Sequence, residues 1–400
     1  MISTGSYINK IVLKSLDKKI VLLSNLFSIL LFIIYFPFFL FRKIWGNNNY
    51  VEQHTPIKKI LLVDLRRIGD IVMLTPLLVE LKNIYPNAFI TLLSGSWAEQ
   101  ILLNNPNLVD SYCIYNPPWI MKTKHSYYDL IKKISFLKNQ KIDLAIDVRG
   151  DLKNILIMSL AGISKRVGYS FSAGNWLLTH KIADTGNLKH IVSHHHKIAL
   201  FLGSNIKLIN FKPVLWLSNS ENNYKDNSKP FIAVHLGAST SVRILSIKKS
   251  SELILSLLNI SDKNILLFYS KEIEDLINNI LLIPEVVRSH RVKIFRGDLR
   301  KFIVEVASSS LYVGMDSSGA HIAAAFNVPS IVIFGPALPN TCKPIGDNVY
   351  IISSDEYLKC RPCKQKICSN KMHQKCYNSL HFDKIFYEKS HIPIIKQITG

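Results

Sequence analysis

The chain has 400 residues, 48% of them apolar and 19% charged. That balance excludes a disordered protein, and the length exceeds one ordinary core, so two domains plus an extension are expected. The 49 Lys and Arg against 28 Asp and Glu leave a formal charge of +21, which predicts anionic partners. The basic residues are scattered and form no helix-turn-helix, zinc-finger or RNA-binding aromatic pattern, so nucleic acid is not the expected partner.

Taken in chain order, the first feature is the apolar stretch 20–41, IVLLSNLFSILLFIIYFPFFLF, inside an extension over residues 1–54. It carries no charge and is long enough to span a bilayer. Lys18, Lys19, Arg42 and Lys43 make both flanks basic, so the positive-inside bias gives no direction, and Pro37 would kink a span. A re-entrant or interfacial anchor on the cytoplasmic side fits at least as well, and a buried core helix is the third reading. The apolar core is too long for a signal peptide, and FRKIWG is no small-residue cleavage site.

From residue 57, apolar runs alternate with amphipathic stretches. KKILLVDL, AFITLLSG and IDLAIDVRG predict strands. DIVMLTPLLVELKNIYP, WAEQILLNNP, DLIKKISFLKNQ and SHHHKIALFLG predict helices, the first ended by Pro86 and the last closed by Gly203. Residues 216–230 are polar with few apolar anchors and form the best linker. The alternation then restarts. FIAVHLGAS, NILLFYS, SLYVGMDS and SIVIFGP predict strands, and KKSSELILSLLN and GAHIAAAFN predict helices. Such alternation implies an α/β fold of parallel βαβ units, here two Rossmann-like domains facing a cleft, with ligands at the carboxyl ends of the strands.

Three loops at such ends carry chemistry. In RRIGDIVMLTP, Gly69 permits a tight strand-to-helix turn and Asp70 falls in the first helical turn. Asp70 reads either as a first-turn acid favoured by the helix dipole or as a general base facing the cleft. Arg66 and Arg67 offer charge to an anionic acceptor. In YVGMDSSGAHIAAAF, the amides of Ser317, Ser318 and Gly319 open a helix and suit a diphosphate. Asp316 would organise the loop or ligand hydroxyls, and His321 is either a ligand contact or a core histidine. In VHLGASTSVRILS, Ser239 and Arg243 are candidates for phosphate binding, Arg243 by neutralising leaving-group charge. His190 and His194 share a helical spacing, but a helix-surface role suits them better than metal binding, since no carboxylate pair is near. The tail segment, CRPCKQKICSNKMHQKC, places Cys360, Cys363, Cys368 and Cys376 together. It lacks paired Cys-x2-Cys knuckles, so a structural metal, a redox-labile pair and a plain thiol cluster stay open. The uneven cysteine placement suggests a reducing compartment.

The stretch from KKILLVDLRRIGDIVMLTPLLVELKNIYPNAFITLLSGSWAEQILLNNPNLVD resembles the start of glycosyltransferase family 9, the lipopolysaccharide heptosyltransferases. DLAIDVRGDLKNILIMSLAGISKRVGY, VHLGAS, DSSGAHIAAAFNVPSIVIFGP and the CRPC tail follow in the family's order, so the resemblance covers roughly residues 57–380. It implies a GT-B fold, with residues 55–215 as acceptor domain, 231–358 as nucleotide-sugar domain and 359–400 as a Cys-rich segment. It implies inverting transfer from a nucleotide sugar, typically ADP-heptose, to the lipopolysaccharide core, with no catalytic cofactor or metal. Asp70 matches the family's presumed base, Arg243 its usual phosphate-binding Lys, and Asp316, Ser317, Ser318 and His321 its Asp-Ser/Thr-Gly loop and histidine. The chain departs from the pattern at Asp64, where Arg is common, and at Leu245-Ser246, where Trp-Pro is usual. Ser318 replaces a glycine and YSKEIE a Gly-rich turn. The implied location is the cytoplasmic face of the inner membrane, where a lipid-linked anionic acceptor arrives. A transferase for another surface glycan and a non-catalytic, membrane-tethered glycan-binding homologue are the alternatives.

Overall fold

The computed structural model describes residues 56–388 except 119, 121–126, 184–189, 355, 364–366, 369 and 371. The apolar stretch 20–41 lies outside them, and among the described residues no helix is long and apolar enough to cross a membrane.

The first sheet contains β1 (Lys59–Val63), β2 (Phe89–Ser94), β3 (Ser111–Ile114), β4 (Leu144–Asp147), β5 (Lys165–Tyr169) and β6 (His180–Ile182). All its pairings are parallel, in the order β3-β2-β1-β4-β5-β6. Its helices are α1 (Ile68–Ile84), α2 (Trp97–Ile101), α3 (Tyr127–Asn139), α4 (Leu152–Leu160) and α5 (Ile191–Phe201). The stretch between the two sheets carries α6 (Asn219–Asp226), closed at its start by a capping box in which Ser218 and Glu221 bond each other's backbone.

The second sheet repeats the plan. Strands β7 (Phe231–His235), β8 (Asn264–Phe268), β9 (Val292–Phe295), β10 (Leu311–Met315), β11 (Ser330–Phe334) and β12 (Val349–Ser353) are parallel, in the order β12-β11-β10-β7-β8-β9. Helices α7 (Ile247–Ile260), α8 (Glu274–Leu281), α9 (Pro284–Ser289), α10 (Leu299–Ser308), α11 (Ser318–Ala325), α12 (Pro339–Cys342), α13 (Lys375–Asn378) and α14 (Phe382–Glu388) complete it.

Both sheets are buried on two faces, which is why their strands read as nearly continuous apolar runs. Along β1 the side chains alternate. Leu61 and Val63 enter a core with α3 and α4, while Ile60 and Leu62 enter one with α1 and α5. That second core continues into the other half through Ile303 of α10, Ile322 and Ala323 of α11, and Tyr312 and Val332. A third core covers the far face of the second sheet. Tyr377, Leu380, Phe382 and Phe386 are buried in it, so the Cys-rich tail is packed onto the second domain.

In each sheet the chain runs outward in one direction and then restarts on the other side of its first strand. The reversal points lie between β1 and β4 and between β7 and β10. A crevice forms outside the carboxyl ends at such points. The loops after β1, β4, β7 and β10 therefore decide what the protein can bind.

Candidate active site

Asp70 is the third residue of α1. Its Oδ2 accepts the Arg67 amide (3.2 Å), so it does close the helix start. Its other oxygen, Oδ1, lies 2.9 Å from Arg149 Nη1. Arg149 stands in the loop after β4, the strand beside β1. Burial alone would raise the Asp70 pKa, but Arg149, Arg66 and the Arg67 amide hold it below the usual carboxylate range. Asp70 is thus an ionised, half-buried carboxylate at the rim of the crevice.

The loop that aims Arg149 is built on a buried acid. Asp147, at the end of β4, accepts the amides of Arg149 (3.2 Å), Gly150 (2.8 Å) and Asp151 (3.1 Å) and the Asn154 Nδ2 (2.9 Å). Gly150 sits at φ +76, where a side chain would be strained and would meet Phe171 and Ser172. Burial pushes Asp147 up to about 7 against the pull of these bonds. Asp64, at the end of β1, is likewise buried. Its Oδ1 accepts the Arg66 amide (3.0 Å), and its Oδ2 has no partner among the described residues. Burial and then the Asp70 charge push it up to about 7, while Arg149 and Arg66 oppose them.

The second half contributes from β7 and β10. Arg243 closes a short 3-10 turn, and its Nη1 lies 3.3 Å from Asp316 Oδ2. The Tyr377 hydroxyl donates to the Arg243 carbonyl (2.9 Å), which pins this turn to the tail. Burial raises Asp316, and Arg243 pulls it down. Ser317 precedes α11, and its Oγ is 3.2 Å from His235 Nδ1. Ser318 and Gly319 open α11, in the first turn whose amides have no partner within the helix. Ser239 is exposed. Two departures from the family pattern are explained locally: Leu245 is buried, and Ser246 caps α7 by accepting the Lys249 amide.

The two loop sets meet. A Cβ placed on Gly69 would sit 3.0 Å from His321 Cδ2, so the start of α1 rests on α11 and only a small residue fits. His321 is buried, and its burial drives it down to about 4, so it is neutral at pH 7. Arg67 is pulled down first by burial and then by the charge of Arg243, which acts on it from the other half. A site with Arg66, Arg67, Arg149 and Arg243 about the Asp70 carboxylate suits anionic ligands.

Arg149 is the residue that reading the loops one at a time missed. The signal was an Arg with a Gly and an Asp close behind it after a strand end, as Arg67, Gly69 and Asp70 stand in the first loop. The helix-surface reading of His190 requires correction. His190 precedes α5 as its cap and is buried; its Nε2–H donates to the Lys343 carbonyl (2.8 Å) of the other half, and its Nδ1 accepts the Val192 amide (3.2 Å). His194 packs edge-on against Tyr169. The four tail cysteines border one small cavity together with Gln374, whose amide donates to Cys368 Sγ (3.3 Å). No three of their sulfurs lie within 4.8 Å of one another.

The sequence pattern of glycosyltransferase family 9 (heptosyltransferase) matches residues 130–374. The lipooligosaccharide heptosyltransferase 2 of Campylobacter jejuni is 24% identical over 340 residues, covering 81% of this chain and 95% of that protein. The lipopolysaccharide heptosyltransferase 2 of Escherichia coli is 23% identical over 312 residues, covering 74% and 87%. Among solved structures, the E. coli ADP-heptose lipopolysaccharide heptosyltransferase II superposes with a TM-score of 0.66 at 19% identity, over 86% of this chain and all of that one. A family 9 glycosyltransferase from Veillonella parvula gives 0.67 at 14% identity, over 85% of this chain and 97% of that one. The shared architecture is two Rossmann-like domains, and the match spans more than half of this chain. The chain belongs to glycosyltransferase family 9.

Proposed function

We propose that the protein transfers a heptose from an ADP-linked donor to the lipopolysaccharide core, with inversion and with Asp70 as the general base. The observation that carries this reading is the convergence of Asp70 and Arg243 on one crevice from two different sheets. Asp70 takes the proton of an acceptor hydroxyl as that oxygen attacks the anomeric carbon. The departing diphosphate is met by Arg243 and by the first-turn amides of α11 at Ser318 and Gly319. Arg66, Arg67 and Arg149 receive the acceptor's anionic groups. His321 and Gly69 set the spacing between the two loops, and Ser239, Asp316 and Ser317 shape the donor side. The donor and acceptor follow the relatives: the superposed E. coli enzyme is described as an ADP-heptose transferase and the curated ones as lipopolysaccharide or lipooligosaccharide transferases. Such an acceptor places the work at the cytoplasmic face of the inner membrane.

The test is a donor screen on detergent-solubilised protein, with ADP-, GDP-, UDP- and dTDP-sugars and a truncated lipopolysaccharide acceptor. ADP release should depend on acceptor, and Asp70→Asn should lower kcat roughly 10²–10⁴-fold. Turnover with another nucleotide would replace the donor and keep the mechanism. Full activity in Asp70→Asn would leave Asp70 as a helix-start residue.

A further inference from the structure

Helix α3 turns a mixed apolar and basic side to solvent. Its inner side is anchored by buried Leu137, with Leu130 and Ile134 half-buried beside it. On the outer side Tyr128, Ile131 and Phe136 are 63%, 62% and 46% exposed. At 3.6 residues per turn, Tyr128, Ile131 and Lys132 share one stripe, and Phe136 and Lys138 flank it. Lys132 Nζ lies 4.5 Å above the Tyr128 ring, and Lys132 and Lys138 are exposed. Asp129 is half-buried and, with Lys133, acts on buried Cys113 from the inner side. The exposed charges of this helix face are therefore positive.

Large apolar side chains interleaved with lysines match a bilayer interface. There the rings and the isoleucine enter the headgroup boundary while the ammonium groups meet anionic lipid. A second copy of the same face would set lysine against lysine. The position also fits: α3 follows β3 and so begins at the carboxyl edge of the first sheet, the edge that carries Asp70. We propose that Tyr128, Ile131, Lys132, Phe136 and Lys138 dock the first domain on an anionic phospholipid surface. This goes beyond the transfer reaction and stands whatever the donor. Only its rationale, delivery of a lipid-linked acceptor, rests on that reading.

The experiment keeps the full chain, with residues 20–41 present in every variant. Ile131→Trp and, as a control on the second domain, Leu282→Trp at a 77% exposed position are mixed with brominated phosphatidylcholine vesicles, with and without phosphatidylglycerol. Quenching beyond the wild-type tryptophans is expected for Ile131→Trp in anionic vesicles, at least twofold that of Leu282→Trp, and most of it should vanish when Lys132→Glu and Lys138→Glu are added. Equal quenching at both positions, or quenching indifferent to phosphatidylglycerol and to the lysines, overturns the proposal. A Tyr128→Ser, Ile131→Ser, Phe136→Ser variant should raise KM for lipid-linked acceptor roughly tenfold, with kcat on delipidated core oligosaccharide unchanged. An equal loss on both acceptors would mean a fold defect and count against docking. If no variant and no wild-type protein transfers sugar, the reaction fails while the quenching still decides the surface.

Discussion

Asp70 is held by two demands that agree. The capping role needs an acid in the first turn, and the proposed catalysis needs an ionised one at the crevice. Arg149 serves the second, because its charge, together with Arg66 and the Arg67 amide, outweighs the burial that would otherwise raise Asp70. The sign follows. With Arg149 present, Asp70 stays ionised down through the ordinary carboxylate range, so the acid limb of kcat/KM lies below it. In Arg149→Met the burial remains and the strongest opposing charge is gone. The Asp70 pKa should then rise and the acid limb move upward by roughly 1–3 pH units. A pH profile of kcat/KM for both proteins reads this directly, and an unmoved limb would detach Asp70 from the rate. Asp70, Arg243 and Asp316 were legible as candidates because each sits in a loop or helix start that follows a strand. Arg149 was not, because its meaning depends on lying beside a strand that precedes it by two others in sequence.

At the scale of elements, α1 shows how the sequence tolerates a local fault. Pro76 lies inside the helix and supplies no N–H to the Val72 carbonyl four residues back. Thr75, fully buried, donates its hydroxyl to that carbonyl (2.8 Å) and accepts the amide of Val214 (2.9 Å), which leads toward α6. One side chain satisfies the helix and ties the connecting chain to it. Thr75→Val keeps the shape and strands both groups, so it should cost about 2–4 kcal/mol, measured by urea unfolding. A loss under about 0.5 kcal/mol would mean that water replaces the hydroxyl. The apolar strand runs and the helix ends were readable from the chain. This repair was not, since Val214 is remote in sequence.

For the whole molecule, the two sheets share one apolar core across α1, α5, α10 and α11. Away from the crevice, Glu221 of α6 joins both halves. Its carboxylate accepts Arg300 twice (2.8 and 2.7 Å) and Asn104 Nδ2 (3.1 Å), while Arg300 also donates to the Trp216 carbonyl (2.8 Å) and the Gln100 carbonyl (3.3 Å). Arg300 holds the Glu221 pKa down to about 2, so the contribution of this group is present above the usual 4.5 and is lost as pH falls toward 2. A shared core and a bridging ion pair predict one cooperative thermal transition at neutral pH, with calorimetric and van't Hoff enthalpies equal. Two resolved transitions would show that the halves fold independently.

The sequence by itself determined the alternation of strands and helices, the glycine turn before Asp70, the phosphate-suited start of α11 and the family. Those features depend on residues within one turn or one strand of each other. The tertiary structure decided the partners. It set Arg149 against Asp70 because β4 pairs with β1 across the reversal in strand order. It buried His190 as a cap against Lys343 of the other half, and it packed the tail aromatics under the second sheet. Strand order and domain contact join residues that are distant in the chain, and no local pattern encodes that choice.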